Sequence, residues 1–162
     1  MNEEKLTCAE DMPLLLLEHQ LCFPLYAAAR RVVNQYTPYL KPLGLTYTQY
    51  IVFLALWEAG ERTVGELCRT LYLDNGTLTP LLKKMEESGY IRRVRSEADE
   101  RIVTVRLTEE GWAMRRRAAE IPGQVGKCVA LSSGDAAALY TLLYKVLNQL
   151  EEPLRNTEGK VG

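Results

Sequence analysis

The chain has a single histidine, and its four cysteines, at positions 8, 22, 68 and 128, show no metal-ligand spacing. That argues against a zinc site, and no cofactor is expected. No apolar run is long enough to span a membrane, because the stretch Leu14–Leu17 is broken by Glu18 and His19. The N-terminus lacks a basic start and an apolar core leading to a small-residue cleavage site, so no signal peptide is expected and the chain reads as cytoplasmic. Scattered cysteines in that compartment are held as thiols. A surplus of positive charge is missing too. With a formal net charge of −1, any basic surface must be local. Internal repeats and low-complexity segments are absent, and 162 residues make one domain's worth of chain.

The most informative stretch runs from Thr63 to Leu107. Val64, Leu67, Cys68 and Leu71 recur at helical spacing behind Thr63 and Glu66, which form a capping box. After a break at Tyr72-Leu73, Asp74 caps a second helix with the stripe Leu78, Leu81, Leu82 and Met85. Pro80 is awkward inside it, which leaves open a later start with Thr79 as cap and Pro80 in the first turn. Gly89 supplies the left-handed stop. Two alternating runs, Tyr90–Arg95 and Arg101–Leu107, then flank the polar tip Ser96–Glu100 and predict a β-hairpin. Two short helices followed by a hairpin form the plan of a winged helix-turn-helix, in a fold that is mainly α with a small β wing. The second helix would enter the DNA major groove. Its exposed side offers Asn75, Thr77 and Thr79 for base edges and Lys83 and Lys84 for phosphates, and the hairpin adds Arg92, Arg93, Arg95, Arg101 and Arg106. The plainer alternative is a small helical domain with a solvated, charge-rich hairpin. Agreement among caps, glycine stop and basic wing favours DNA.

On either side the chain reads as helical. A long helix is expected from about Pro13 to Tyr39, with Pro24 bending it beside Cys22. A second runs from Tyr47 to about Ala59 behind Thr46, with Tyr50, Phe53, Leu54 and Trp57 inward and Gly60 as stop. Thr108-Glu109-Glu110 starts another, which Pro122-Gly123 interrupts. Ser132-Ser133-Gly134-Asp135 reads as a new N-terminus, and a last helix runs from Ala136 to about Leu150, with Leu139, Leu142/Leu143, Val146 and Leu150 as its stripe. The first and last helices are too apolar to face water in a monomer, so a twofold homodimer is expected. It would present two reading helices to half-sites roughly 34–36 Å apart. These expectations make 1–162 a single domain, with a DNA-binding lobe at 46–108 and dimerisation segments at 12–42 and 109–152.

The residues Leu71-Tyr72-Leu73-Asp74-Asn75-Gly76-Thr77-Leu78-Thr79-Pro80-Leu81-Leu82-Lys83-Lys84-Met85-Glu86, followed by Asp99-Glu100-Arg101, resemble the MarR family of bacterial repressors. The resemblance implies binding of palindromic double-stranded operator DNA, with Arg101 entering the minor groove and Asp99 holding the wing loop. An arginine suits a narrow minor groove. His19–Tyr26, Tyr36 and Leu45–Tyr50 are similar to one group within that family, the organic-hydroperoxide regulators (OhrR). There, the cysteine matching Cys22 reacts with an organic hydroperoxide to give a sulfenic acid, and the tyrosines matching Tyr36 and Tyr47 hydrogen-bond it. Some members use a second cysteine, near the start of the C-terminal helical region, for a disulfide between subunits that releases the operator. Ile121–Cys128 falls in that region, which makes Cys128 the candidate resolving thiol.

Helix geometry adds a constraint of its own. Cys22 and Tyr36 are 14 residues apart, so on one continuous helix they lie ~21 Å apart. If they pair, they must pair between subunits. Apolar neighbours such as Phe23 and Leu25 suit an alkyl or lipid hydroperoxide better than hydrogen peroxide. The rival readings are a buried structural Cys22, release by a small phenolic ligand, and a thiol peroxidase. No recycling motif supports the last, so a regulator rather than an enzyme is expected. Cys68 reads as core and Cys8 as incidental.

Overall fold

A helix hydrophobic on nearly every side has to be enclosed, and YTQYIVFLALWEA, which forms α3 (Tyr47–Ala59), is such a segment. The computed structural model of the protein describes residues 13–99 and 101–151. The chain divides into two units, Met1–Val125 and Gly126–Gly162.

The first unit opens with the short turns Pro13–Leu15 and Leu17–His19, followed by α1 (Cys22–Gln35) and α2 (Thr37–Leu40). The expected long helix from Pro13 is therefore shorter. Pro24 stands third in α1, where a missing N–H costs nothing because first-turn donors have no intrahelical acceptor. It starts the helix instead of bending it. Next come α3 and β1 (Glu61–Thr63), then α4 (Val64–Leu71) and α5 (Asn75–Glu87). The wing strands are β2 (Ile91–Arg95) and β3 (Val103–Leu107), and α6 (Glu109–Ala118) and α7 (Ile121–Val129) complete the series.

The caps are those the sequence calls for. Thr46 and Thr63 form full capping boxes with Gln49 and Glu66. Asp74 accepts the Thr77 N–H at 2.8 Å, and α5 therefore begins at Asn75, not beyond Thr79. Pro80 lies inside it and forfeits the bond to the Gly76 carbonyl, which is exposed and open to solvent. Gly89 (φ 78) closes α5.

The hairpin pairs Ile91 with Leu107, Arg93 with Val105 and Arg95 with Val103. Sequence periodicity misses β1, which pairs with β3 and makes a three-stranded sheet in the order β1-β3-β2. A three-residue strand has too little alternation to be read. The core gathers Tyr50, Phe53 and Leu56 of α3 with Leu67, Leu78, Leu82, Met85, Ile91, Val105 and Met114. Leu54, expected to face inward, is 43% exposed. Trp57 donates from Nε1 to the Gly111 carbonyl at 3.0 Å and so ties α3 to α6. Gly111 is obligatory there, since a Cβ would sit 2.2 Å from the Tyr90 carbonyl oxygen.

The second unit is described from the end of α7 through α8 (Ser133–Glu151). Ser132 Oγ accepts the Asp135 N–H at 3.1 Å, so the N-terminus of this helix lies within Ser132–Asp135 as expected, and the first turn precedes Ala136. Its described side chains include exposed Leu139, Tyr140, Leu142, Tyr144, Val146 and Leu150. Among the described residues, no helix is long and apolar enough to cross a membrane.

Candidate nucleic-acid interface and thiol site

The start of α5 is set by its cap, which engages one candidate base-reading side chain, while a second is held by Cys68. The Thr77 hydroxyl donates to Asp74 Oδ2 at 2.8 Å. Together with the Thr77 N–H, this bond holds the Asp74 carboxyl below its ordinary range. Asn75 Oδ1 accepts from the Cys68 thiol at 3.3 Å, which leaves its NH2 group to donate outward. Cys68 is half-buried, so it both packs in the core and orients the first residue of α5. Thr79, Lys83 and Lys84 are exposed. Lys83 is paired only loosely with Glu87, at 3.9 Å across one helical turn.

The wing arginines divide into two kinds. Arg93 is clamped to Glu86, which accepts its backbone N–H and its Nε, each at 2.8 Å, and lies 2.7 Å from its Nη2. The backbone N–H first, and then the guanidinium, lower the Glu86 pKa. This charge-assisted pair fixes the angle between α5 and the wing, so Arg93 positions the face more than it offers charge. Arg95 and Arg101 are exposed. Asp99 Oδ1 accepts the Arg101 N–H at 3.0 Å, and Ser96 Oγ accepts the N–H groups of Ala98 and Asp99 at 3.2 and 3.3 Å. The tip is thus an ordered turn behind Arg101. Asn75, Thr79, Arg93, Arg95 and Arg101 converge on one cleft of about 460 Å³, floored by Gly65 and Leu82. Glu86 and Ser96 were not singled out in the sequence. Glu86 acts only once Gly89 turns the chain back, and Ser96 only once the tip has formed.

The thiol site is built at the two ends of α1. Cys22 is its first residue and is exposed. Tyr36 caps its other end. There the turn through α2 brings Tyr36 onto the start of α3, with ring centroids 4.8 Å from Tyr47 and 5.7 Å from Tyr50. Burial, and then the neighbouring Tyr36, raise the Tyr47 pKa above the ordinary phenol value. Its hydroxyl therefore remains a donor throughout the neutral range. Because α1 is continuous, Cys22 lies ~21 Å along the helix from Tyr36 of the same chain. Cys128 lies in α7 and is exposed.

Comparison with known proteins gives consistent results. A family model described as "Transcriptional regulator SarA/Rot" matches residues 34–115. The organic hydroperoxide resistance transcriptional regulator of Bacillus subtilis is 46% identical over 136 residues, covering 84% of this chain and 92% of that protein. Among solved structures, reduced AbfR bound to DNA, from Staphylococcus epidermidis, superposes with a TM-score of 0.70 at 34% identity, over 88% of this chain and 98% of that one. The disulfide-formed state of AbfR gives 0.60 at 33% identity, over 88% and 96%. Reduced MarR from E. coli gives 0.65 at 29% identity, over 79% and 96%.

Proposed function

Since the chain belongs to the MarR family of transcriptional regulators, we propose that it is a repressor that releases operator DNA when an organic hydroperoxide oxidises Cys22. Its relatives are named as regulators, and it too is a DNA-binding regulator and not an enzyme. In the proposed resting state a reduced homodimer holds a palindromic operator. Each subunit offers Asn75, Thr77 and Thr79 to base edges, Lys83, Lys84 and Arg95 to phosphates, and Arg101 to the minor groove. Arg93 and Asp99 hold the wing in place. The exposed apolar faces of α1 and α8 supply the dimer surface.

One observation carries the sensor reading. The Tyr36–Tyr47 pair, with centroids at 4.8 Å, lies at the far end of α1 from Cys22. A twofold arrangement that lays two copies of α1 in opposite directions would bring each Cys22 to the tyrosine pair of the partner subunit. Two phenol donors there would favour the thiolate. The thiolate attacks the peroxide O–O bond. Sulfur gains one oxygen as a sulfenic acid, the O–O bond breaks, and the peroxide leaves as an alcohol. The Cys128 thiol of the partner then displaces water from the sulfenic acid, which gives an intersubunit disulfide. AbfR, solved both DNA-bound in its reduced form and disulfide-formed, supports a switch of this kind.

The test is operator binding by gel shift, with and without cumene hydroperoxide, on wild type and Cys22→Ser, together with a non-reducing gel. Release of wild type but not of the variant, with a reducible dimer band that Cys128→Ser abolishes, is the expected result. If both proteins bind and ignore oxidant, Cys22 is structural and a small ligand becomes the trigger. Tyr36→Phe and Tyr47→Phe should each slow Cys22 oxidation while reduced DNA binding persists. Unchanged oxidation rates would remove the phenols from the scheme.

A further inference from the structure

The first residue of α5 carries an amide whose polarity is set from another helix. Cys68 of α4 is half-buried and packs against the core. Its carbonyl accepts the Leu73 N–H at 3.0 Å, across the turn in which Tyr72 takes the left-handed conformation (φ 53). Its Sγ therefore stands on a fixed stretch of backbone, and it donates to Asn75 Oδ1 at 3.3 Å. Asn75 is exposed, with its own backbone held by the cap at Asp74. The amide can thus answer the thiol only by rotating its side chain. Cys68 takes the oxygen end, and the two N–H donors are left for the cleft that Asn75 shares with Thr79, Arg93, Arg95 and Arg101. Arginines only donate, and among the described residues lining this cleft none is a carboxylate. The face is rich in donors and poor in acceptors.

An asparagine with both ends free pairs with adenine, accepting from N6 and donating to N7. With its oxygen engaged, it has only donors to offer. Guanine matches that state, because O6 and N7 are adjacent acceptors on its major-groove edge. Adenine sets its N6 donor against the amide, and cytosine presents only the N4 donor. We infer that Cys68 is a positioning residue for base choice. By holding Asn75 Oδ1, it makes Asn75 a reader of guanine rather than adenine in each half-site. The inference rests on α5 entering the major groove with its first residue at the base edges. Cys68 itself does not touch DNA. Because S–H is a weak donor, the thiol acts on the choice of base more than on overall affinity.

The experiment uses the full chain, kept reduced. Wild type selects a duplex from a library with randomised half-sites, and single-base variants of that duplex are compared by competition gel shift. The position at which Asn75→Ala flattens discrimination is the base that Asn75 meets. There wild type should prefer guanine to adenine by about tenfold, and 7-deazaguanine, which lacks the N7 acceptor, should lose much of that preference. Cys68→Ala should lower the ratio to about twofold while preferences at other positions stay. Cys68→Ser keeps a donor at the same place and should restore most of the ratio. Adenine preferred at that position, or no position flattened by Asn75→Ala, would overturn the inference and leave DNA binding in place. So would a ratio that survives Cys68→Ala, even with affinity lowered evenly at every position, since Cys68 would then only pack. Serine behaving like alanine would show that the thiol fills space instead of donating, which overturns it as well. If wild type enriches no sequence from the library, the operator-reading function falls and the inference falls with it.

Discussion

The winged lobe and the helix that precedes it treat apolar side chains in opposite ways. In the 13 residues of α3, Tyr50, Val52, Phe53, Ala55, Leu56 and Trp57 are buried. In the 14 residues of α1 none is, and α1 has no side-chain N-cap. The lobe satisfies itself within one chain, with its core filled and the ends of α3 to α6 capped by Thr46, Thr63, Asp74 and Thr108. The helix α1, and likewise α8 considered by itself, carries surface that one chain leaves uncovered. Buried side chains are thus concentrated in the winged lobe, whereas Cys22 sits on an element with none.

The sharpest way to break this contrast is to remove an anchor from each region. Phe53 is fully buried and stacks on Trp57 at 5.1 Å. Phe53→Ala should cost about 4 kcal/mol, through lost burial and the cavity left behind. Denaturant melts should show this loss at every protein concentration. Replacing Leu139 and Leu142 of α8 together by serine should instead leave a dilute melt nearly unchanged. The same change should weaken self-association by roughly a hundredfold, from the apolar area removed, as read by sedimentation. If the α8 variant melts like the Phe53 variant, α8 belongs to the stability of the single chain and the contrast disappears.

The lobe leaves one surface unsatisfied on purpose, and that surface is charged rather than apolar. Arg101→Ala should weaken operator binding by about tenfold and reduce the slope of log affinity against log salt by about one. Arg93→Ala should behave differently, since its guanidinium is held by Glu86. It should loosen the wing, with a smaller change in salt slope than in affinity. Equal slopes for the two variants would mean that Arg93 meets phosphate directly and that the Glu86 clamp opens on binding.

Legibility in the sequence followed the same division. The caps at Thr46, Thr63, Asp74 and Thr108 were readable because a side-chain cap is settled within three residues of chain. Gly60 and Gly89 were readable because a left-handed stop favours one residue type. The wing hairpin was readable from alternation in Tyr90–Arg95 and Arg101–Leu107, though its register was not. By contrast, Leu14, Leu17 and Leu21 form a helical stripe on paper but lie exposed in turns ahead of α1. A stripe with nothing to pack against does not hold a helix by periodicity alone. The strand β1 and the Glu86–Arg93 clamp depend on contacts made after the chain has turned, which no local pattern announces. The approach of Tyr36 to Tyr47 was suggested only by family resemblance, and in the structure it depends on the turn through α2.

The smallest expected effect concerns the lobe's own carboxylates. Hydrogen bonds from Thr63 to Glu66, from Thr77 to Asp74 and from Arg93 to Glu86 hold all three below their ordinary values of 4.5, 3.8 and 4.5. A group whose pKa is depressed by folding adds stability above its unfolded value and loses it as pH falls through the folded one. The lobe should therefore soften only below about pH 4.5, and the loss should be modest because these groups are exposed and solvent-screened. Asp74→Asn keeps an acceptor for the Thr77 N–H but removes the titration. The variant should fall slightly behind wild type at pH 7, and the gap should close in acid, below the folded-state pKa of Asp74, where the wild-type carboxyl is protonated. A variant that lags equally at pH 7 and in acid would show that geometry, and not charge, makes Asp74 the better cap for the DNA-reading helix.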